Sequence, residues 1–102
     1  MKEEKEEIIR IRLPEGEEMF GIVEQMLGNA WMYVRCQDGK VRLGKIPGKY
    51  IKSRLWVRVG DIVIVKPWQV MKDRVFIVHK YTKTETEWLF ERGYLKWLEE
   101  HE

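Results

Sequence analysis

The stretch Trp31-Met32-Tyr33-Val34-Arg35-Cys36-Gln37-Asp38-Gly39-Lys40-Val41-Arg42-Leu43-Gly44-Lys45-Ile46 decides how the chain folds. Its first seven residues alternate. Met32, Val34 and Cys36 fall on one side of an extended strand, while Trp31, Tyr33, Arg35 and Gln37 fall on the other, because successive strand side chains point to opposite faces. The first set belongs in a core. The second places flat rings and a cation on an outer surface. Asp38-Gly39 predicts a two-residue hairpin turn, since glycine supplies the positive φ that such a turn needs. Lys40 to Ile46 then forms the following strand.

The same pattern of short strands between turn residues extends in both directions. Upstream, Met19 to Leu27 reads as a strand in which Gly21 blurs the parity and marks a candidate bulge; Gly28-Asn29 is a turn. Downstream, Pro47 to Gly60 follows neither period, but Ile51 and Leu55 are four apart and predict a short helical turn. Gly60-Asp61 is a further turn. Ile62 to Lys66 is a nearly continuous apolar run, the pattern of a buried strand. Pro67 confines its far end to an edge or loop. Met71-Lys72-Asp73 turns the chain into a fifth strand, Arg74 to Tyr81. A helix is expected from Thr84, whose spacing to Glu87 fits a capping box, with Glu85 and Glu87 suiting the positive end of its dipole. Trp88, Leu89 and Phe90, then Tyr94, Leu95, Trp97 and Leu98 beyond an interrupting Gly93, form an apolar face that should pack on the strands. Five strands, a helical turn after the third and a terminal helical extension predict an all-β protein, a five-stranded OB-fold barrel. The expected organisation is a charged, partly flexible N-terminal extension over 1–18, the barrel over 19–83, and a helical segment over 84–102 packed on it.

Composition narrows the function classes. At 102 residues the chain suits one domain with a single core. Its lone cysteine, Cys36, allows no internal disulfide. No apolar run approaches the ~18 residues of a membrane span. The Glu-rich N-terminus lacks an apolar leader, so a cytoplasmic monomer without membrane attachment is expected. Catalysis has no visible apparatus. His79, His101 and Cys36 show no metal-ligand spacing, Gly44 and Gly48 lack the surroundings of a phosphate loop, and Asp38, Asp61 and Asp73 all sit in predicted turns. A non-enzymatic protein with no metal and no cofactor is the expectation.

Charge supplies the positive signal. Gln25 to Lys83 contains eight Lys and five Arg against three Asp and no Glu, a net +10, whereas each flank carries −4. Interleaving with Trp31, Tyr33, Tyr50, Trp56 and Trp68 suits a polyanion with bases that can stack. The candidate binding residues are Arg42, Lys45, Lys49, Lys52, Arg54 and Arg58, with Lys66 and Arg74 as further cations and Arg35, Tyr33 and Trp31 on the outer face of the second strand. Trp56 either stacks on a base or closes the core. Guanidinium groups clamp phosphates in pairs of hydrogen bonds while ammonium groups act as point charges. Such contacts give affinity more than sequence choice. The cations are expected to converge on one wall of the barrel.

Met26-Leu27-Gly28-Asn29, Cys36-Gln37-Asp38-Gly39, Arg42-Leu43-Gly44-Lys45-Ile46-Pro47-Gly48-Lys49, Arg54-Leu55-Trp56, Gly60-Asp61-Ile62 and Lys80-Tyr81 resemble, in order and spacing, the archaeal and eukaryotic translation initiation factor 1A family. The resemblance runs from about Glu17 to Leu95. It implies an OB-fold that binds the small ribosomal subunit and its rRNA at the aminoacyl site. It also implies that initiator tRNA and mRNA are assisted indirectly, in start-site selection with other initiation factors including a translational GTPase. The family's rRNA contacts map onto Arg42, Lys45, Lys49, Lys52, Arg54 and Trp56. The chain departs from eukaryotic members, which carry a basic N-terminal and a long acidic C-terminal tail, so only the core ribosome contact is carried over. The alternative function is a general single-stranded RNA chaperone of cold-shock type, which shares barrel and aromatics. A protein-interaction barrel without RNA, suggested by the acidic flanks, is a third.

Overall fold

A computed structural model describes residues 11–48 and 56–101. Five strands, β1 (Met19–Gly28), β2 (Trp31–Cys36), β3 (Val41–Lys45), β4 (Ile62–Pro67) and β5 (Arg74–Lys80), close into a barrel in the order β1-β2-β3-β5-β4. All neighbouring pairs are antiparallel except β3 and β5, which run parallel. Helix α1 (Lys83–Glu91) and a 3₁₀ turn (Lys96–His101) follow. This is the OB-fold barrel that the strand pattern predicts. The predicted helical turn around Ile51 and Leu55 lies outside the described residues.

Two apolar clusters account for the pattern. Val23, Met32, Val34, Cys36, Val63, Val65, Val75 and Ile77 fill the barrel interior, together with Ile46 and Val57. Phe20, Ile62, Ile64, Tyr81, Leu89, Leu95 and Trp97 form a second core between the outside of the barrel and the C-terminal helical segment. Strand β4 belongs to both, so Ile62, Val63, Ile64 and Val65 are all buried. That is why its sequence is apolar without alternation. Residues 11–18 hold no strand. Ile11 and Leu13 pack against the second core, Arg12 Nη1 donates to the Val78 carbonyl at 3.2 Å, and the Tyr81 hydroxyl donates to the Arg12 carbonyl.

Three local features differ from the sequence reading: the bulge in β1, the length of the hairpin loop and the cap of α1. Gly21 is not a bulge; it pairs with Cys36, and a Cβ there would lie 2.5 Å from Val34 Cγ1, so close strand approach requires glycine. The register shifts of β1 against β2 fall instead between Val23 and Gln25 and between Met26 and Gly28. The hairpin loop has three residues, Gln37-Asp38-Gly39. Cys36 N–H donates to the Lys40 carbonyl at 2.8 Å, and Gly39 takes φ +90° after a turn closed by its N–H on the Cys36 carbonyl. That is the three-residue arrangement of a turn followed by a left-handed glycine. Finally, α1 is capped by Thr82, not Thr84. Thr82 Oγ1 accepts from Glu85 N–H at 3.1 Å, and Glu85 Oε1 accepts from Thr82 N–H at 2.9 Å. Tyr81 N–H still bonds the Ile62 carbonyl, so Thr82 is the first residue free of the sheet. Gly93, at φ +85°, separates α1 from the 3₁₀ turn as the pattern suggests.

Candidate nucleic-acid interface

The strand register places the outward residues of four strands in rows. Trp31 pairs with Lys45, Lys45 with Phe76, and Phe76 with Lys66, giving the row Trp31–Lys45–Phe76–Lys66. Crossing four strands, it spans about 14 Å at the usual strand spacing. Beside it, Tyr33 pairs with Leu43 and Leu43 with Arg74, while Trp68 N–H donates to the Arg74 carbonyl at 2.9 Å. This second row reads Tyr33–Leu43–Arg74–Trp68. On this wall of the barrel, rings and cations alternate along the first row, and the second carries a ring at each end with Arg74 beside Trp68.

Within the wall the rings hold the cations. Lys45 Nζ lies 5.2 Å from the Trp31 ring centre. The Arg74 guanidinium lies 5.9 Å from Trp31 and 5.7 Å from Trp68, whose rings are 6.4 Å apart. Trp68 in turn stacks on Phe76 at 5.0 Å with 24° between planes. Attraction of a cation to a ring face is worth ~0.5–1 kcal/mol at exposed sites and more when dehydrated. Among the described residues, Lys45, Lys66 and Arg74 have no carboxylate within ion-pair distance. With none of the three held in an ion pair there, the wall can take an external anion, and Lys66 also borders a hollow lined by Glu15, Glu17 and Glu18.

Other expected site residues sit elsewhere. Arg35 shares the outer face, but its Nε donates to Glu24 Oε2 at 2.8 Å, which neutralises it. Arg42 does not join the wall. It pairs with Val34, a buried interior residue, and so has inward parity. Its guanidinium donates from Nη1 and Nη2 to the two Asp38 oxygens at 2.9 and 2.8 Å, and from Nε to the Lys72 carbonyl at 3.1 Å. The hydrogen bonds from Arg42 hold the Asp38 carboxyl below its ordinary range, and the same bonds raise the guanidinium further. The expectation that Arg42 and Lys45 converge therefore fails, because residues three apart in one strand point to opposite faces, and loop length decides which of the two faces outward. A two-residue loop would pair Arg42 with Arg35 on the outside. The third loop residue slips the register by one, which turns Arg42 inward and Lys45 outward.

Trp56 is 70% exposed, which excludes the core-closing alternative. Its carbonyl accepts from Lys80 Nζ at 2.7 Å. With Arg58, Lys80, Lys83, Thr86 and Phe90 it borders a groove between the barrel and α1, away from the two rows. Arg58 is exposed, and its N–H donates to Asp61 Oδ2 at 2.8 Å. Lys49, Lys52 and Arg54 lie outside the described residues. Two members of the wall, Trp68 and Phe76, are not among the expected site residues, although Trp68 is one of the rings interleaved with the basic block. Phe76 was findable, because it alternates with the core residues Val75 and Ile77. Trp68 lies past the strand end, where no period applies.

The remaining titratable groups are structural. Burial pushes the Cys36 thiol up, against an opposing hydrogen bond from Arg42. Burial lowers His79, which sits edge-on to Tyr81 at 4.8 Å in the interface with the helical segment. Among the described residues no group of three His, Cys, Asp or Glu could hold a metal, and no helix is long and apolar enough to cross a membrane.

The profile of the family "Translation initiation factor 1A / IF-1" matches residues 5–102. Translation initiation factor 1A of Pyrococcus abyssi is 55% identical over 93 residues, spanning 90% of this chain and 81% of that protein. The Methanothermobacter thermautotrophicus protein of the same name is 49% identical over 92 residues, spanning 89% and 92%. The solution structure of a translation initiation factor from the Wolbachia endosymbiont of Brugia malayi superposes with a TM-score of 0.52 over 66% of this chain and 79% of that one; at 22% identity it speaks for the fold alone. With a match over almost its whole length and archaeal relatives at about half identity, the chain belongs to the translation initiation factor 1A family.

Proposed function

We propose that this protein acts in translation initiation by laying the Trp31–Lys45–Phe76–Lys66 and Tyr33–Leu43–Arg74–Trp68 rows on the RNA of the small ribosomal subunit at its aminoacyl site. Family membership supports the role in initiation. The observation that carries the surface assignment is the pair of cations, Lys45 and Arg74, held among rings on one barrel wall with no ion pair among the described residues. Occupancy is the mechanism. A basic barrel in the decoding region biases which ligands bind next, favouring initiator tRNA and start-site selection and leaving a translational GTPase and other factors to act around it. No bond is made or broken by the protein itself. Lys49, Lys52 and Arg54, which follow β3 in the sequence, would add their charge to RNA binding.

Binding to purified small subunits tests the assignment. Lys45→Ala with Lys66→Ala should weaken binding and flatten the dependence of log affinity on log salt by about 1.4, at ~0.7 per phosphate on single-stranded RNA. An unchanged affinity and slope would mean that the wall is not the RNA face. The exposed Trp56 ring favours a second reading, a general single-stranded RNA chaperone. Competition separates the two. A chaperone loses its RNA to any unstructured oligonucleotide, whereas an initiation factor stays with the intact subunit.

A further inference from the structure

We infer that Arg74 is a prepositioned phosphate fork and that Trp31 and Trp68 serve to hold it, so that this wall grips the phosphodiester backbone of folded RNA, not splayed bases. The inference rests on the proposed RNA-binding role of the wall and sharpens what it binds.

Arg12, Arg35 and Arg42 each form an ion pair with a carboxylate of this chain: Glu18, Glu24 and Asp38. Arg74 has none among the described residues, yet it is not loose. Its guanidinium lies within 6 Å of two indole rings at once. One of those rings is itself fixed by stacking on Phe76. Holding a long side chain this way removes rotamer freedom that binding would otherwise have to remove. A planar guanidinium held without an acid partner suits an acid brought by the ligand, and phosphate matches its two parallel donors.

Two further details agree. Arg74 Nε and Trp68 Nε1 are both buried and both lack an acceptor among the described residues. Buried donors without acceptors are rare. Two in one cluster mark a cation packed tightly among the rings, with Nε turned inside. The rings are also already engaged: Trp31 with Lys45 and Arg74, Trp68 with Arg74 and Phe76. A base stacking on either would compete with a cation. Among the described residues the most exposed ring, Trp56, stands in the groove beside α1, and on the wall the ring left open is Tyr33, at the far end of its row from Trp68.

Arg74→Lys, Arg74→Ala, Trp68→Leu, the double variant Arg74→Ala with Trp68→Leu, and Lys45→Ala as control should be titrated against purified small subunits, with thermal midpoints recorded. An ammonium cannot stack or fork, so Arg74→Lys should lose nearly as much affinity as Arg74→Ala, about tenfold for one charged contact. Trp68→Leu should weaken binding in the parent and have no further effect once Arg74 is Ala. Competition by an RNA hairpin should match or exceed that by oligouridylate of equal length. If Lys45→Ala weakens binding while Arg74→Lys binds like the parent, or if Trp68→Leu costs as much without Arg74 as with it, the fork is wrong and the wall stands. If Lys45→Ala and Arg74→Ala both bind like the parent, the wall itself is wrong.

Discussion

Replacing Arg42 by Ala separates the two roles this residue could have. The guanidinium makes three hydrogen bonds, two to Asp38 and one to the Lys72 carbonyl, and its side chain is 13% exposed. Hydrogen bonds to charged groups contribute about 1.5–3 kcal/mol when buried, but Asp38 is 39% exposed and recovers water when its partner leaves. The net loss is then about 2 kcal/mol, or roughly 10 °C in thermal midpoint for a domain of this size. Small-subunit binding should change less than about twofold, because the residue faces away from the wall and carries a compensated charge. Asp38→Asn should lower the midpoint similarly, and the double variant should lose far less than the sum. The effect should depend on pH in a fixed sense. The folded carboxyl lies below its ordinary value of 3.8, so the stabilisation is complete above that value and is lost as pH falls below it. The parent and Arg42→Ala should therefore converge in stability under acid. An unchanged midpoint together with a binding loss of threefold or more would refute this account and return Arg42 to the RNA face.

Other outcomes follow from the packing. Gly44→Val should cost about 1–3 kcal/mol by urea unfolding, since even a Cβ would sit 3.1 Å from Val34 Cγ2 and 3.2 Å from Ile77 Cδ1 inside a closed barrel. Thr82→Ala removes half of the capping box and should cost about 1 kcal/mol, with amide exchange rising first at the start of α1, whereas Thr84→Ala should have little effect. Cys36 is buried with a raised thiol, so a thiol reagent should label it only on unfolding, and labelling at the rate of a free thiol would mean that the barrel mouth is open. Tyr81→Phe deletes the hydroxyl that donates to the Arg12 carbonyl; tryptic cleavage after Arg12 should then accelerate about fivefold, at ~1 kcal/mol for one hydrogen bond.

What could be read beforehand divides along the range of the forces involved. Alternation in β2 reports a local fact, one face buried and one wet, and Met32, Val34 and Cys36 are indeed buried while Tyr33 is exposed. The unbroken apolar run of β4 reports two covered faces, which the barrel and the C-terminal segment supply. Register is not local. Whether Arg42 or Lys45 faces outward depends on a single loop residue between β2 and β3, and Asp-Gly suits loops of either length. The cap of α1 was misplaced for a similar reason: the expected pair Thr84/Glu87 and the observed pair Thr82/Glu85 share one spacing, and only the last sheet bond of Tyr81 chooses between them. Trp68 joins the wall through contacts with Phe76 and Arg74, eight and six positions along the chain, and no periodicity encodes those.

The parallel seam has a bearing on how the protein becomes competent. Trp31 and Lys45 belong to the β2–β3 hairpin, Phe76 and Lys66 to the β4–β5 hairpin, and the pairs Leu43↔Arg74, Gly44↔Val75 and Lys45↔Phe76 join them directly. Each hairpin can form early from neighbours in the chain, while the seam must close a long loop and comes late. Neither half alone displays the alternating surface. A polyanion lying across the join would act as a clasp, adding about 2.7 kcal/mol at a hundredfold excess over its dissociation constant, and would guard most strongly the amides of β3 and β5 against solvent exchange.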